Sequence, residues 1–118
     1  MSPSVRDRLQ AGLRDAMKQR DKVAVGALRS ALGAIANAEA VPDTIATSSA
    51  HPIAVSVRGL GAGEAPRRPL SEAEVRDVVD AEIDDRLVSA HRYDDLGQGA
   101  AADALRSEAA VLRSYLGA

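Results

Sequence analysis

The sequence contains no cysteine, phenylalanine or tryptophan, and its only aromatic residues of the Phe, Trp and Tyr class are Tyr93 and Tyr115. Without cysteine the chain has neither a disulfide framework nor a thiolate that could act as a nucleophile or metal ligand. Alanine supplies 24 of the hydrophobic residues, so the core has few bulky side chains. We therefore expect closely packed helices of modest stability, or stabilisation by a partner subunit.

Long hydrophobic runs are also missing. No stretch approaches the roughly 20 apolar residues that a helix needs to cross a bilayer. The N-terminal stretch MSPSVRDR already contains charged side chains, and it has no apolar core of signal-peptide length. These absences predict a cytoplasmic, reducing location and no membrane partner.

The charged residues are unevenly distributed along the chain. Residues 1–40 contain seven Lys and Arg against four Asp and Glu, whereas residues 70–118 contain five against eleven. A basic first part and an acidic last part could attract each other or contact different partners. Two solvated helix surfaces would give the same pattern, so the charge distribution alone leaves these alternatives open.

Apolar residues recur at helical spacing in four segments, which predicts an all-α fold. Asp21 is a candidate N-cap, and Ser71 with Glu74 forms a capping-box pattern. The second segment is apolar almost all round, as expected of a central, buried helix, and the glycines of GQG, 97–99, should end the third. The predicted helices lie at about 4–20, 22–40, 71–96 and 100–116.

Residues 41–69 interrupt this pattern with four prolines and with glycines at positions 59, 61 and 63. The glycine spacing fits neither a P-loop nor a dinucleotide fingerprint, and Glu64 would repel a phosphate. We interpret the segment as a flexible, Pro/Gly-rich tether. The predicted organisation is a single domain, 1–118, in which the tether joins two helical hairpins.

Candidate catalytic residues are scarce. The histidines are His51 and His91, and His91 with Asp94 at helical spacing lacks a clear third metal ligand. The acidic run in the third helix is typical of a solvated helix face, and no nucleophile is paired with a base. We therefore predict no catalytic residue, no metal site and no cofactor.

A charged network is predicted between the last two helices. In helical projection, Glu82 and Arg86 fall within the apolar stripe of the third helix, and Glu108 falls on the apolar side of the fourth. If the helices fold back antiparallel about residue 98, Arg86 and Glu108 differ in height by roughly 3 Å. The first interpretation is a buried ion-pair network that fixes helix register; the alternative is a catalytic or ligand site.

The first hairpin offers a cationic surface. Its candidate contacts to a nucleic acid or another anion are Arg14, Lys18, Arg20 and Lys22. Single-strand recognition usually also needs aromatic platforms, and both tyrosines lie in the acidic half. Base-specific recognition is therefore not expected, whereas the pattern leaves weak contact with a nucleic-acid backbone open.

The segments 13–39 and 70–116 resemble the GatB/YqeY family. The resemblance implies an all-helical domain, which in that family occurs alone and as the tail of one chain of the tRNA-dependent amidotransferase. There the tail contacts tRNA while catalysis takes place elsewhere, and the family is classed with carbon–nitrogen ligases that use glutamine as amido donor. The matching features, in chain order, are Met17-Lys18, Asp21-Lys22, Leu28-Arg29, Glu39, Leu70-Ser71, Glu74-Val75, Arg86, Tyr93, Glu108 and Tyr115-Leu116.

The chain departs from the family pattern in three places. The segment 41–69 is longer than usual, and Gln98 stands where arginine is common. At YLGA, relatives continue into a small helical subdomain. We expect that subdomain to be absent. The resemblance implies a non-catalytic helical accessory or binding module. The alternative is direct participation in tRNA-dependent amidation, through binding of tRNA or of an amidotransferase or synthetase component. A homo-oligomer is compatible with either function.

Overall fold

The computed structural model describes residues 3–40 and 69–117. Within these residues the secondary structure is entirely helical, and the predicted all-α fold of two hairpins is confirmed. The observed helix bounds agree with the predicted ones to within one residue at each end. Of the tether predicted for 41–69, all except Pro69 lies outside the described residues. The helices are α1 (Val5–Gln19), α2 (Lys22–Ala40), α3 (Glu72–Asp95) and α4 (Gly99–Leu116).

Local sequence signals explain where the first hairpin begins and turns. The Ser4 hydroxyl accepts a hydrogen bond from the Asp7 N–H at 3.0 Å and caps α1. Arg20 adopts a left-handed conformation with φ of 58° and ends that helix. The carboxylate of Asp21 then accepts from the Ala24 N–H at 3.1 Å, which confirms the predicted N-cap of α2.

The second hairpin is defined in the same way. The capping box predicted for Ser71 and Glu74 is present at the start of α3. Gly97 ends α3 with φ of 75°, a conformation that glycine adopts at little cost. The Gln98 N–H then donates a hydrogen bond to the Tyr93 carbonyl at 2.8 Å. This closure reverses the chain and brings α4 back along α3.

The core lies where α2 meets the other three helices. The helices pair as α1 with α2 and α3 with α4, and α2 also contacts both α3 and α4. Fully buried alanines such as Ala27, Ala31 and Ala102 allow close helix approach. The largest fully buried side chains are Leu9, Leu28, Ile35, Leu112, Val5 and Val79.

Two features of the predicted core need correction. The central position of α2 is as expected, but one side of this helix faces solvent, and Val23 is 40% exposed. Helical spacing places Met17 in one apolar stripe with Val5, Leu9 and Leu13, yet Met17 is 49% exposed. Both residues lie close to the α1–α2 turn, where the surrounding helices cover only part of the circumference of each helix. No helix of the described residues combines the length and the apolar character that crossing a bilayer requires.

Candidate functional site

A concave surface lies at the turn between α1 and α2. We call it the α1–α2 hollow; its volume is about 470 Å³. Met17, Val25 and Gly26 contribute apolar surface, and three further lining residues are cationic. The lining residues are Met17, Arg20, Lys22, Val25, Gly26 and Arg29.

The turn sequence builds this hollow. Because Arg20 and Asp21 reverse the chain in two residues, the last turn of α1 lies beside the first turns of α2. Gly26 keeps the surface open, since a Cβ atom added there would meet no atom within 4 Å. The hollow therefore combines an apolar floor with a cationic rim.

Five cations of this hairpin have no counter-charge within the described residues. Arg14, Lys18, Arg20, Lys22 and Arg29 are all exposed, and within the described residues none of them forms a side-chain hydrogen bond or ion pair. Unpaired cations at a surface are free to attract an anionic partner. This surface carries the strongest unsatisfied positive charge in the described part of the chain.

The structure separates the four predicted anion contacts into two groups. Arg20 and Lys22 line the hollow, whereas Arg14 and Lys18 lie on the exposed side of α1 outside its lining. Arg29 completes the rim and was not among the predicted contacts. Arg29 lies seven residues after Lys22, which places both side chains on one face of α2. This spacing could have identified Arg29 from the sequence.

The charged side chains predicted between α3 and α4 are in contact. Arg86 Nε donates to Glu108 Oε1 at 2.8 Å, and its Nη1 donates to Glu82 Oε1 at 3.0 Å. The side chains of Arg86, Glu82 and Glu108 are 13%, 20% and 28% exposed, so the network is partly buried. Ser30 of α2 also donates to Glu82, at 2.8 Å, which sequence reasoning missed.

The electrostatics of this network favour a structural role. Burial by itself would lower the pKa of Arg86, but the hydrogen bonds to Glu108 and Glu82 outweigh that effect and raise the pKa above its ordinary value. The guanidinium therefore stays charged. The role of this network in setting the register of the hairpin stays a prediction.

A second polar cluster joins the helix ends on the opposite side of the molecule. Glu39, the sole carboxylate of α2, is 8% exposed and accepts hydrogen bonds from the Arg6 guanidinium and from the Leu70 N–H, the latter at 2.9 Å. Glu72 accepts from the Val5 N–H at 3.1 Å, at the start of α1. These contacts satisfy polar groups at helix ends and tie the beginning of α3 to the first hairpin.

Arg76 completes this cluster. It donates to the Leu116 carbonyl at 3.0 Å and so satisfies a carbonyl at the end of α4. Sequence reasoning missed the cluster, although a lone carboxylate in an otherwise apolar helix was a usable signal.

The tip of the second hairpin holds a third set of charges. Arg106 bonds Asp94 at 2.8 Å and Asp103 at 2.7 Å, while His91 lies 3.8 Å from Asp95. The Arg106 hydrogen bond lowers the pKa of Asp94. Among the described residues no group of three or more His, Cys, Asp or Glu side chains could hold a metal ion.

Comparisons with family models, with curated proteins and with solved structures find no match. The resemblance to the GatB/YqeY family therefore stays a prediction from the residues quoted for it.

Proposed function

We propose that this chain is a non-catalytic helical binding module, related to the tail domain of the tRNA-dependent amidotransferase, and that its first hairpin contacts the tRNA backbone. The observation that carries the proposal is a set of five exposed cations that have no side-chain partner among residues 3–40 and 69–117: Arg14, Lys18, Arg20, Lys22 and Arg29. Neutralising phosphates with such side chains releases condensed counterions, which drives binding.

The geometry of the hollow favours contacts to phosphate and ribose over reading of bases. Arg20 and Arg29 present guanidinium groups, which can bind a phosphate through two parallel hydrogen bonds. The apolar floor, with Met17 and Val25, offers van der Waals contact to a sugar but no aromatic platform. Binding should therefore be salt-dependent and weakly specific for sequence.

The absence of catalysis is part of the proposal and rests on how the polar groups are used. Ser30 donates to Glu82, a pairing that could resemble a nucleophile with its base. Glu82 is also bound by the Arg86 guanidinium at 3.0 Å, so both of its contacts belong to the network that joins α2, α3 and α4. We propose a cytoplasmic location, where tRNA is charged and amidated.

Binding of labelled tRNA at about 50 and 200 mM salt tests the proposal. We expect the triple substitution Arg20→Gln, Lys22→Gln and Arg29→Gln to weaken binding and to reduce the salt slope by roughly one unit per lost phosphate contact. The matched control is Arg92→Gln with Arg113→Gln, which removes exposed cations from the second hairpin.

Two results would count against tRNA contact by this surface. One is no detectable binding at low salt, and the other is binding that responds neither to salt nor to the triple substitution. If tRNA does not bind but a purified amidotransferase or synthetase component does, the alternative function in tRNA-dependent amidation is supported instead.

A further inference from the structure

The outer face of α3 is acidic and has an apolar line along its middle. Val88 is 57% exposed, and Ala81, seven residues earlier, is also exposed on the same side of the helix. Four carboxylates flank this line, and within the described residues none of them forms a side-chain hydrogen bond or ion pair. We call this surface the acidic face; its carboxylates are Asp77, Asp80, Asp84 and Asp85.

The acidic face and the α1–α2 hollow are complementary. The hollow has an apolar floor and a rim of three cations, Arg20, Lys22 and Arg29. The acidic face has an apolar ridge at Val88 and carboxylates on both sides of it. Every copy of the chain carries both surfaces, and in the part of the chain that the structure describes neither surface is paired with an opposite charge. A second copy supplies that opposite charge to each surface.

Within one copy, the apolar ridge of the acidic face is turned away from α2. Glu82 contacts α2 through Ser30, so its side chain marks the side of α3 that faces α2. Val88 follows six residues later, which places it about 120° from Glu82 around the helix. The ridge at Val88 therefore does not face α2, the helix that supplies Lys22 and Arg29 to the hollow.

We propose that this chain self-associates head to tail, with the acidic face of one copy seated in the α1–α2 hollow of the next. The interface joins two different surfaces, so it leads to rings or to open chains. Its charges are exposed, so association is weak to moderate and falls as salt rises. The inference does not depend on RNA binding, but a polyanion and the acidic face compete for the same cations.

A charge exchange between two variants tests the proposal. One variant carries Arg20→Glu and Arg29→Glu, which makes its hollow repel the acidic face; the other carries Asp84→Lys and Asp85→Lys, which makes its acidic face repel the hollow. By sedimentation velocity at low salt, the wild type should show concentration-dependent association, and each variant alone should associate at least about tenfold more weakly. The equimolar mixture should recover association, because each altered surface then meets an opposite charge.

Asp15→Lys, an exposed reversal on α1 outside both surfaces, is the matched control and should associate like the wild type. Circular dichroism establishes that each variant is folded. The proposal is overturned if the wild type stays monomeric up to about 1 mM at low salt, or if the mixture of variants associates no better than either alone. Because Asp84→Lys with Asp85→Lys leaves the hollow intact, its binding of tRNA reports separately on the proposed function.

Discussion

The ring of Tyr115 on α4 occupies the space beside Gly12 on α1. A Cβ atom at Gly12 would lie 2.6 Å from Cζ and 2.7 Å from Cε1 of the tyrosine, closer than real Cβ contacts. Tyr115 packs against the core from its half-buried position. The two helices therefore approach at this point because residue 12 has no side chain.

Gly12→Ala should destabilise the fold. The added methyl group has to displace the Tyr115 ring, at a cost of about 1–3 kcal/mol, partly offset by the higher helix propensity of alanine. Gly33→Ala is the matched control, since nothing lies within 4 Å of a Cβ there, and it should stabilise α2 by up to about 1 kcal/mol. Urea unfolding of both variants measures the difference; equal effects would contradict the observed packing.

Arg86→Met should lower the free energy of unfolding by about 1–3 kcal/mol. This range lies between the cost of breaking an exposed ion pair and that of breaking a buried one, because the network is partly buried. The loss arises from leaving Glu82 and Glu108 without their cation. Adding Glu108→Gln should recover part of it, since the two residues are coupled.

Arg113→Met is the control for this network, because Arg113 is exposed on the same hairpin and has no ion pair within the described residues. Its effect on thermal unfolding should be small. If Arg86→Met costs no more than Arg113→Met, the network does not stabilise the hairpin.

Arg20→Gly should stabilise the protein while weakening its binding to tRNA. Arg20 has φ of 58°, a left-handed conformation that costs a non-glycine residue about 1 kcal/mol and glycine little. Arg20→Ala removes the same charge but keeps the backbone cost, so it should weaken binding equally without the gain in stability. Paired thermal unfolding and tRNA titrations separate the two effects; a loss of stability in the glycine variant would refute the conformational argument.

The Asp94–Arg106 pair should make stability depend on pH in the acid range. The pKa of Asp94 is lowered by the hydrogen bond from Arg106, so the folded state favours the charged carboxylate. Its contribution is present above the ordinary aspartate pKa and is lost as pH falls through the lowered folded value. Asp94→Asn should therefore unfold more easily than the wild type at neutral pH, and the difference should vanish in acid.

Asp77→Asn removes a carboxylate that has no partner within the described residues and serves as the control at each pH. Melting temperatures measured from neutral to strongly acidic pH give the comparison. A difference between the wild type and Asp94→Asn that stayed constant with pH would argue against the linkage.

The helices were predictable because their signals are local. Ser71 and Glu74 form their capping box within one turn, and Gly97 ends α3 through its own backbone conformation. The antiparallel return of α4 follows from the short turn, so the sequence also predicts that Arg86 and Glu108 lie close together. The fold class and the contact between Arg86 and Glu108 thus follow from helix caps, helical spacing and one short turn.

The remaining contacts depend on chain segments that are distant in sequence. The Val5 N–H meets the Glu72 carboxylate across 67 residues, and no periodicity encodes that approach. The exposure of Met17 and the inclusion of Arg29 in the hollow likewise depend on how α1 and α2 lie against each other. Sequence determined which residues form helices, because hydrogen bonding and capping act over one turn. Tertiary packing decided which side chains are buried, paired or exposed, because burial depends on neighbours that the local sequence does not specify.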